Sequence, residues 1–195
     1  MKTDISLLKK QMMKKLFLIL IPALLLSSTV SAQNIPAAPD NKAVVYFART
    51  SSMGFAINFT YFDSTSVIGR TNGANYIRYE CEPGKHLFWG RSENRDFVEA
   101  DIEAGKIYFI EVVPLLGAIK AGVALNPADP ANEKIMKRIF KLLAKEPAQT
   151  FSPEQLQAEK EKFKEVIERG MEKYAEEKAA GKEIKQLTSD MYYKE

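Results

Sequence analysis

Ala104-Gly105-Lys106-Ile107-Tyr108-Phe109-Ile110-Glu111-Val112-Val113 is the stretch on which the reading of this chain turns. A small-residue turn leads straight into Ile107–Val113, a run dominated by β-branched and aromatic side chains. Such a run fits a strand covered on both faces, near the centre of a sheet. Shorter runs of the same character lie on its N-terminal side: Ala43–Arg49, Ala56–Phe62, Ser66–Arg70, Asn75–Cys81, Lys85–Arg91 and Phe97–Ile102. On its C-terminal side Ala118–Leu125 is expected to return as an edge strand. Asn72-Gly73 reads as a hairpin turn, because both residues tolerate positive φ, and Pro83-Gly84 as a second turn. Seven or eight short strands at a spacing of roughly 8–12 residues predict an antiparallel β-sandwich. Its boundaries are placed at residues 42–128, after a Pro/Ala/Asn-rich tether at 33–41.

Past Leu125 the pattern changes from period two to the helical period. Asn126-Pro127-Ala128-Asp129-Pro130 is a break, with Asp129 positioned to cap a helix and Pro130 to begin it. In the helix predicted over 131–145, Ile135, Met136, Ile139, Phe140, Leu142 and Leu143 fall within an arc of about 160°. Lys134, Lys137, Arg138, Lys141 and Lys145 take the opposite arc, against a single Glu133. Ser152 and Gln155 are spaced as a capping box for a second helix, from Pro153 to about Ala179. Its stripe of Leu156, Phe163, Val166, Ile167, Met171 and Tyr174 is thin, barely two heptads, too thin for a buried helix but adequate for a partner. Gly181 ends it, and the tail to Glu195 is expected to be weakly ordered. The fold class is therefore mainly β with C-terminal α, a sandwich followed by a helical extension at 129–195. The first helix is expected to dock on the sandwich; the second, to project or pack along it.

The N-terminus has the three parts of a secretory signal. Lys14 and Lys15 precede the apolar run Leu16–Leu26, and Val30-Ser31-Ala32 supplies small residues before Gln33. The run is about half of the roughly 20 residues that a membrane span needs. Residues 1–32 are read as a signal peptide cleaved near Ala32-Gln33, which places the mature chain in the periplasm or outside the cell. No cysteine follows the apolar run, so no lipid anchor is expected there. Residues 1–32 hold five lysines and one aspartate; of 28 basic and 25 acidic side chains, 23 and 24 lie beyond them. The net charge thus moves from +3 to −1, and the compositional case for a nucleic-acid partner goes with it.

Three segments carry a family likeness: Val44-Val45-Tyr46-Phe47-Ala48-Arg49, Glu82-Pro83-Gly84-Lys85-His86 and Glu103-Ala104-Gly105-Lys106-Ile107-Tyr108-Phe109. Over roughly residues 42–128 the chain resembles an uncharacterised family of small exported bacterial proteins, catalogued as domain of unknown function 2846. Many of its members are lipoproteins, and this chain departs from them in lacking the acylated cysteine. The resemblance implies a fold and a compartment and no activity.

Chemistry-bearing residues are few. Cys81 and His86 are the sole cysteine and histidine, too few ligands for a zinc site. Nothing fixes them within reach of one another for nucleophilic catalysis, so no metal or cofactor is expected. Arg49, Arg70, Arg78, Arg91 and Arg95 lie among Tyr46, Tyr61, Tyr76, Tyr79 and Trp89. Arginines and aromatics together can build a surface for sugars, peptides or carboxylates, with Trp89, Tyr46, Arg49 and Arg78 the candidate ligand contacts. If Trp89 is buried, however, it belongs to the core. The basic helix offers another surface, with Lys134, Lys137, Arg138, Phe140 and Lys141 poised for an anionic membrane or a partner. Glu99, Asp101 and Glu103 alternate, so one strand face could carry them, and with Asp96 and Glu111 they are candidate carboxylates for hydrolysis, although an exposed acidic strand face is the commoner reason for such a pattern. The leading expectation is an exported, non-catalytic interaction module of the envelope, with an envelope protein or glycan as partner. Peripheral membrane binding through 131–145 and a carboxylate hydrolase are the alternatives.

Overall fold

A computed structural model of the chain describes residues 35–117 and 121–194. The signal peptide expected at 1–32, the start of the tether and residues 118–120 of the expected edge strand lie outside the described residues. Among those described, the elements run β1 (Ala43–Arg49), β2 (Phe59–Asp63), β3 (Ser66–Thr71), β4 (Asn75–Cys81), β5 (Gly84–Arg91), β6 (Arg95–Ile102), β7 (Ile107–Leu116) and β8 (Ala121–Pro127). Helices α1 (Glu133–Lys145), α2 (Pro153–Lys162) and α3 (Lys164–Ala179) follow, and a short β9 (Lys185–Leu187) comes last. Residues 35–195 form one compact unit, so the sandwich and the helices are not separate bodies.

The strands make two sheets, ordered β4-β1-β7-β8 and β3-β2-β5-β6-β9, in a sandwich-like arrangement. Five of the seven strand pairs are antiparallel, but β1 runs parallel to β7 and β6 parallel to β9. The expectation of a wholly antiparallel sandwich is corrected on this point. Residue pattern sets which faces of a strand are apolar, while direction relative to a partner depends on which distant strand arrives beside it. Asn72-Gly73 is likewise no hairpin. Gly73 does take positive φ, +63°, but the link carries the chain from β3 in one sheet to β4 in the other. The tight hairpin comes instead at Ser64-Thr65, between the paired Asp63 and Ser66, where Ser64 adopts φ +50°.

Both sheets are covered on both faces, and β1 is buried at every residue. Val45 and Phe47 enter the core between the sheets with Phe59, Tyr61, Phe88, Tyr108 and Ile110. Val44, Tyr46 and Ala48 face the other way, against Met136, Ile139 and Leu142 of α1. On the outer face of the second sheet, Phe62 and Trp89 stack with ring centroids 3.9 Å apart beneath α3, with Ile167 and Ile184 in the same cluster. The order of layers is therefore helix, sheet, sheet, helix.

Three further expectations are corrected. Asn132 rather than Asp129 caps α1, accepting the Ile135 N–H; Asp129 accepts the Ala131 N–H and shapes the turn before it. The long second helix is two helices, broken at Phe163, whose ring packs edge-on to Phe62 on the outer face of the second sheet. The tail is tied down. β9 adds to the edge of β6, Tyr108 Oη donates to Ser189 O, and the Tyr193 N–H donates to Ile107 O.

The outer edge of β8 is sealed by side chains. Asn94 donates to Val123 O and accepts its N–H, Asp96 accepts the Leu125 N–H at 2.6 Å, and Lys185 donates to Leu125 O. These groups stand where a neighbouring strand would, which closes an edge that could otherwise template aggregation. On the opposite side Phe151 fills the gap between Gly69 and Ile77, where a Cβ on Gly69 would lie 2.5 Å from its ring.

Candidate functional site

Arg49 ends β1 with no exposed surface at all, and among the described residues it has no carboxylate partner. Its guanidinium donates to Met53 O (2.9 Å), Gly54 O (2.8 Å) and Ile57 O (2.8 Å) and lies 4.0 Å over the Phe59 ring. Burial pulls its pKa down, yet arginine stays charged, so carbonyl dipoles do the work of a counter-ion. This grip accounts for the late start of the second strand. Ala56–Asn58 were expected within it, but Ile57 O is held by Arg49 and β2 starts at Phe59.

The held loop, residues 50–58, carries the most exposed apolar side chains described: Phe55 at 72% and Met53 at 54%, with Leu115 of β7 at 47%. Beside this loop Thr50, Ser51, Ser52, Glu111, Val112, Val113, Pro114 and Arg138 line a cleft of about 470 Å³. Glu111 is its buried acid. It accepts from Thr50 Oγ1 (2.9 Å) and from Arg138 Nε (3.0 Å) and Nη2 (2.8 Å), a two-pronged pair that ties α1 to β7. The loop end thus combines a hydroxyl-lined, charge-matched cleft with a neighbouring Arg49-anchored loop that exposes Met53 and Phe55.

The residues singled out in the sequence do not gather here as a set. Trp89 is fully buried, its indole N–H bound to Ser64 O, so the condition set for it resolves to core. Tyr46 is buried beneath α1, and burial pushes its phenol up. Arg78, beside Tyr46, pairs with Glu80 and donates to Ala37 O. Arg49 belongs to the loop end, as its organiser rather than as a ligand contact. Of the basic-helix set, Lys134, Lys137 and Lys141 point outward, Arg138 is engaged by Glu111, and Phe140 packs edge-on to Phe109 and Tyr193. The apolar arc of this helix faces the first sheet and is used within the fold. No helix among the described residues is long and apolar enough to cross a membrane.

Of the candidate carboxylates, Glu99, Asp96 and Glu111 are paired with cations, while Asp101 and Glu103 are exposed to solvent. Lys178 (2.7 Å), Tyr174 and Gln186 all donate to Glu99, and together they hold its carboxyl down at about 2, opposite to what a general acid needs. Asp96 takes Lys185 at 2.7 Å, and Glu111 takes Arg138. Cys81 is buried with its thiol toward Ala43 O; burial, then the nearby Asp63 and Glu82 charges, push it up to about 12. His86 bonds elsewhere, Nδ1 to Asp63 Oδ2 (2.7 Å) and Nε2 to Glu82 O (2.8 Å). Oxygen atoms thus face both ring nitrogens. The Asp63 hydrogen bond is the main cause that raises its pKa. No group of three or more His, Cys, Asp or Glu able to hold a metal comes together among the described residues.

Met53, Phe55 and Leu115 are what sequence reading missed. A signal was present, since Met53-Gly54-Phe55 is an apolar pair in a Ser/Gly-rich link just after a strand-ending arginine. It was obscured by extending the second strand back to Ala56. In comparisons with known proteins, no family model, no curated protein and no solved structure matches the chain.

Proposed function

We propose that the protein is an exported, non-catalytic interaction module of the bacterial envelope that binds a protein partner through the loop end of its sandwich. The carrying observation is the buried Arg49, which fixes the 50–58 loop so that Met53 and Phe55 stand in solvent. A preorganised loop lowers the ordering cost of binding, and apolar anchors ringed by polar groups are how protein partners are held. The signal-like N-terminus and the three segments resembling an exported family support the compartment. The engagement of Glu99, Asp96 and Glu111 with cations supports a role without catalysis.

A photo-crosslinking residue at position 55, in cells exporting the full chain, tests this reading. It should give a discrete protein adduct that the same probe at Lys137 does not give. Met53→Ser and Leu115→Ser should each weaken that partner about tenfold, or about 1.4 kcal/mol. A glycan partner would leave a diffuse ladder or no protein adduct. Equal labelling from positions 55 and 137 would return attention to the basic helix.

A further inference from the structure

The arginines of this chain are matched with one exception in space. Arg49 has its ring of carbonyls, Arg70 meets Glu159 at 3.5 Å, Arg78 meets Glu80, and Arg138 meets Glu111. Arg91, Arg95 and Arg169 are different. Arg91 and Arg95 are cross-strand partners at the mouth of the β5–β6 hairpin. Two residues along β6 from Arg95, Phe97 packs in the cluster beneath α3, so parity puts both arginines on the outer face, toward that helix. Arg169 comes from α3 itself, one residue before the Gly170 that sits on Trp89.

Three like charges therefore converge at one corner with little to offset them. Arg95 makes no side-chain hydrogen bond or ion pair among the described residues; its Nε is buried without a partner, as in Arg49 and Arg78, but their terminal nitrogens are bonded and those of Arg95 are not. Burial is the main cause that lowers its pKa, with the neighbouring Arg91 and Arg169 charges acting in the same direction. Arg91 only overlies the Phe163 ring, 5.6 Å from its centroid. Arg169 has one contact, Glu165 at 3.7 Å, on an exposed helix face. The hairpin's own carboxylates are committed elsewhere: Glu93 accepts the Ala121 N–H, and Asp96 takes Leu125 N–H and Lys185. Like charges directly opposite one another across strands destabilise a sheet, so this arrangement invites a compensating group.

We infer that Arg91, Arg95 and Arg169 form a binding site for a phosphate-like oxyanion, with Phe163 as its apolar wall. Guanidinium forks bind tetrahedral oxyanions in two-pronged fashion, and three of them at one corner supply more donors than one anion needs. The site is local rather than a consequence of overall charge, because residues 33–195 carry a net of −1. It lies on the second sheet's outer face, at the same end of the sandwich as the 50–58 loop, since Arg91 pairs with Thr60, but it is built from other residues than the interaction reading.

The test is the thermal midpoint of the purified protein, titrated with inorganic phosphate against chloride at constant ionic strength. A saturable rise with phosphate alone is expected, half-complete at millimolar concentration or below. Arg95→Gln and Arg169→Gln should each weaken that response at least tenfold. Arg95→Gln should also raise the midpoint in chloride, since it removes the repulsion; Arg169 is on an exposed helix face, so its replacement leaves the fold intact. A midpoint that follows ionic strength alone, or equal phosphate responses in both variants and the parent, would overturn the site. Co-sedimentation with phosphatidylglycerol/phosphatidylcholine vesicles, lost in Arg169→Gln, would make a lipid headgroup the source of the anion. Phosphate binding without co-sedimentation would make the ligand a soluble phosphate.

Discussion

The two outer faces of the sandwich are covered by helices that dock in different ways. On the first sheet, α1 presents a broad apolar face, with Met136, Ile139 and Leu142 buried on Tyr46, Phe109 and their neighbours. On the second, α3 buries only Ile167 and Gly170. It rests a glycine on the stacked Phe62–Trp89 plate and is pinned at one side by Tyr174 and Lys178 on Glu99. A wide apolar stripe is thus sufficient for docking but not required. A flat aromatic plate lets a helix approach so closely that few side chains need bury, provided the helix offers a hydrogen at the crossing point.

Three experiments can break or sharpen that contrast. Trp89→Ala removes the plate itself and should cost about 4 kcal/mol in urea unfolding. It should also release α3, read as faster amide exchange there than in α1; a loss below about 1 kcal/mol would mean that α3 is held by its polar pins. Gly170→Ala tests the close approach by its sign. In a free helix interior the change would gain up to about 1 kcal/mol. Here the new Cβ would meet Trp89 at 2.6 Å, and a loss of about 2 kcal/mol is expected. The smallest effect belongs to Glu99. Its folded pKa lies below the usual value, so its contribution is present above about 4.5 and is lost as pH falls toward about 2. Glu99→Gln should flatten the stability profile across that window. Because the group is partly exposed, it should cost about 1 kcal/mol or less at neutral pH.

Much of the architecture was legible. Asn75–Cys81 was placed to the residue, Ser66–Arg70 and Lys85–Arg91 to within one, and Ile107–Val113 is the start of an interior strand, as its composition implied. The docking of α1 followed from its arc. What escaped were features that depend on partners distant in sequence. Asn72-Gly73 has the residues of a hairpin turn, and nothing local distinguishes a turn within a sheet from one that crosses between sheets. Glu99 and Tyr174, 75 positions apart, meet only because α3 crosses β6. Lys185 was assigned to a loose tail, yet it completes the seal on β8 with Asp96, Leu125 O and Asn126. At the loop end, Arg49 reads in the sequence as one arginine among aromatics, and only the fold gives it four carbonyl partners.

Local pattern decided what each segment is: the period of the apolar residues sets strand or helix, turn residues set the breaks, and the arc of α1 sets the face it buries. Residue counts also set a net charge of −1 beyond residue 32, and the signal-like N-terminus is the basis on which export is proposed. Only the tertiary structure decided which strands pair and in which direction, and that β1 joins β7 in parallel. It alone placed Arg49 under a loop with exposed apolar tips, and brought Arg91, Arg95 and Arg169 to one corner where, among the described residues, Glu165, beside Arg169, is the one paired carboxylate. The physical reason is that period and propensity act within a few residues, whereas compensation of charge and contact between faces act across space, between groups that only the folded chain brings together.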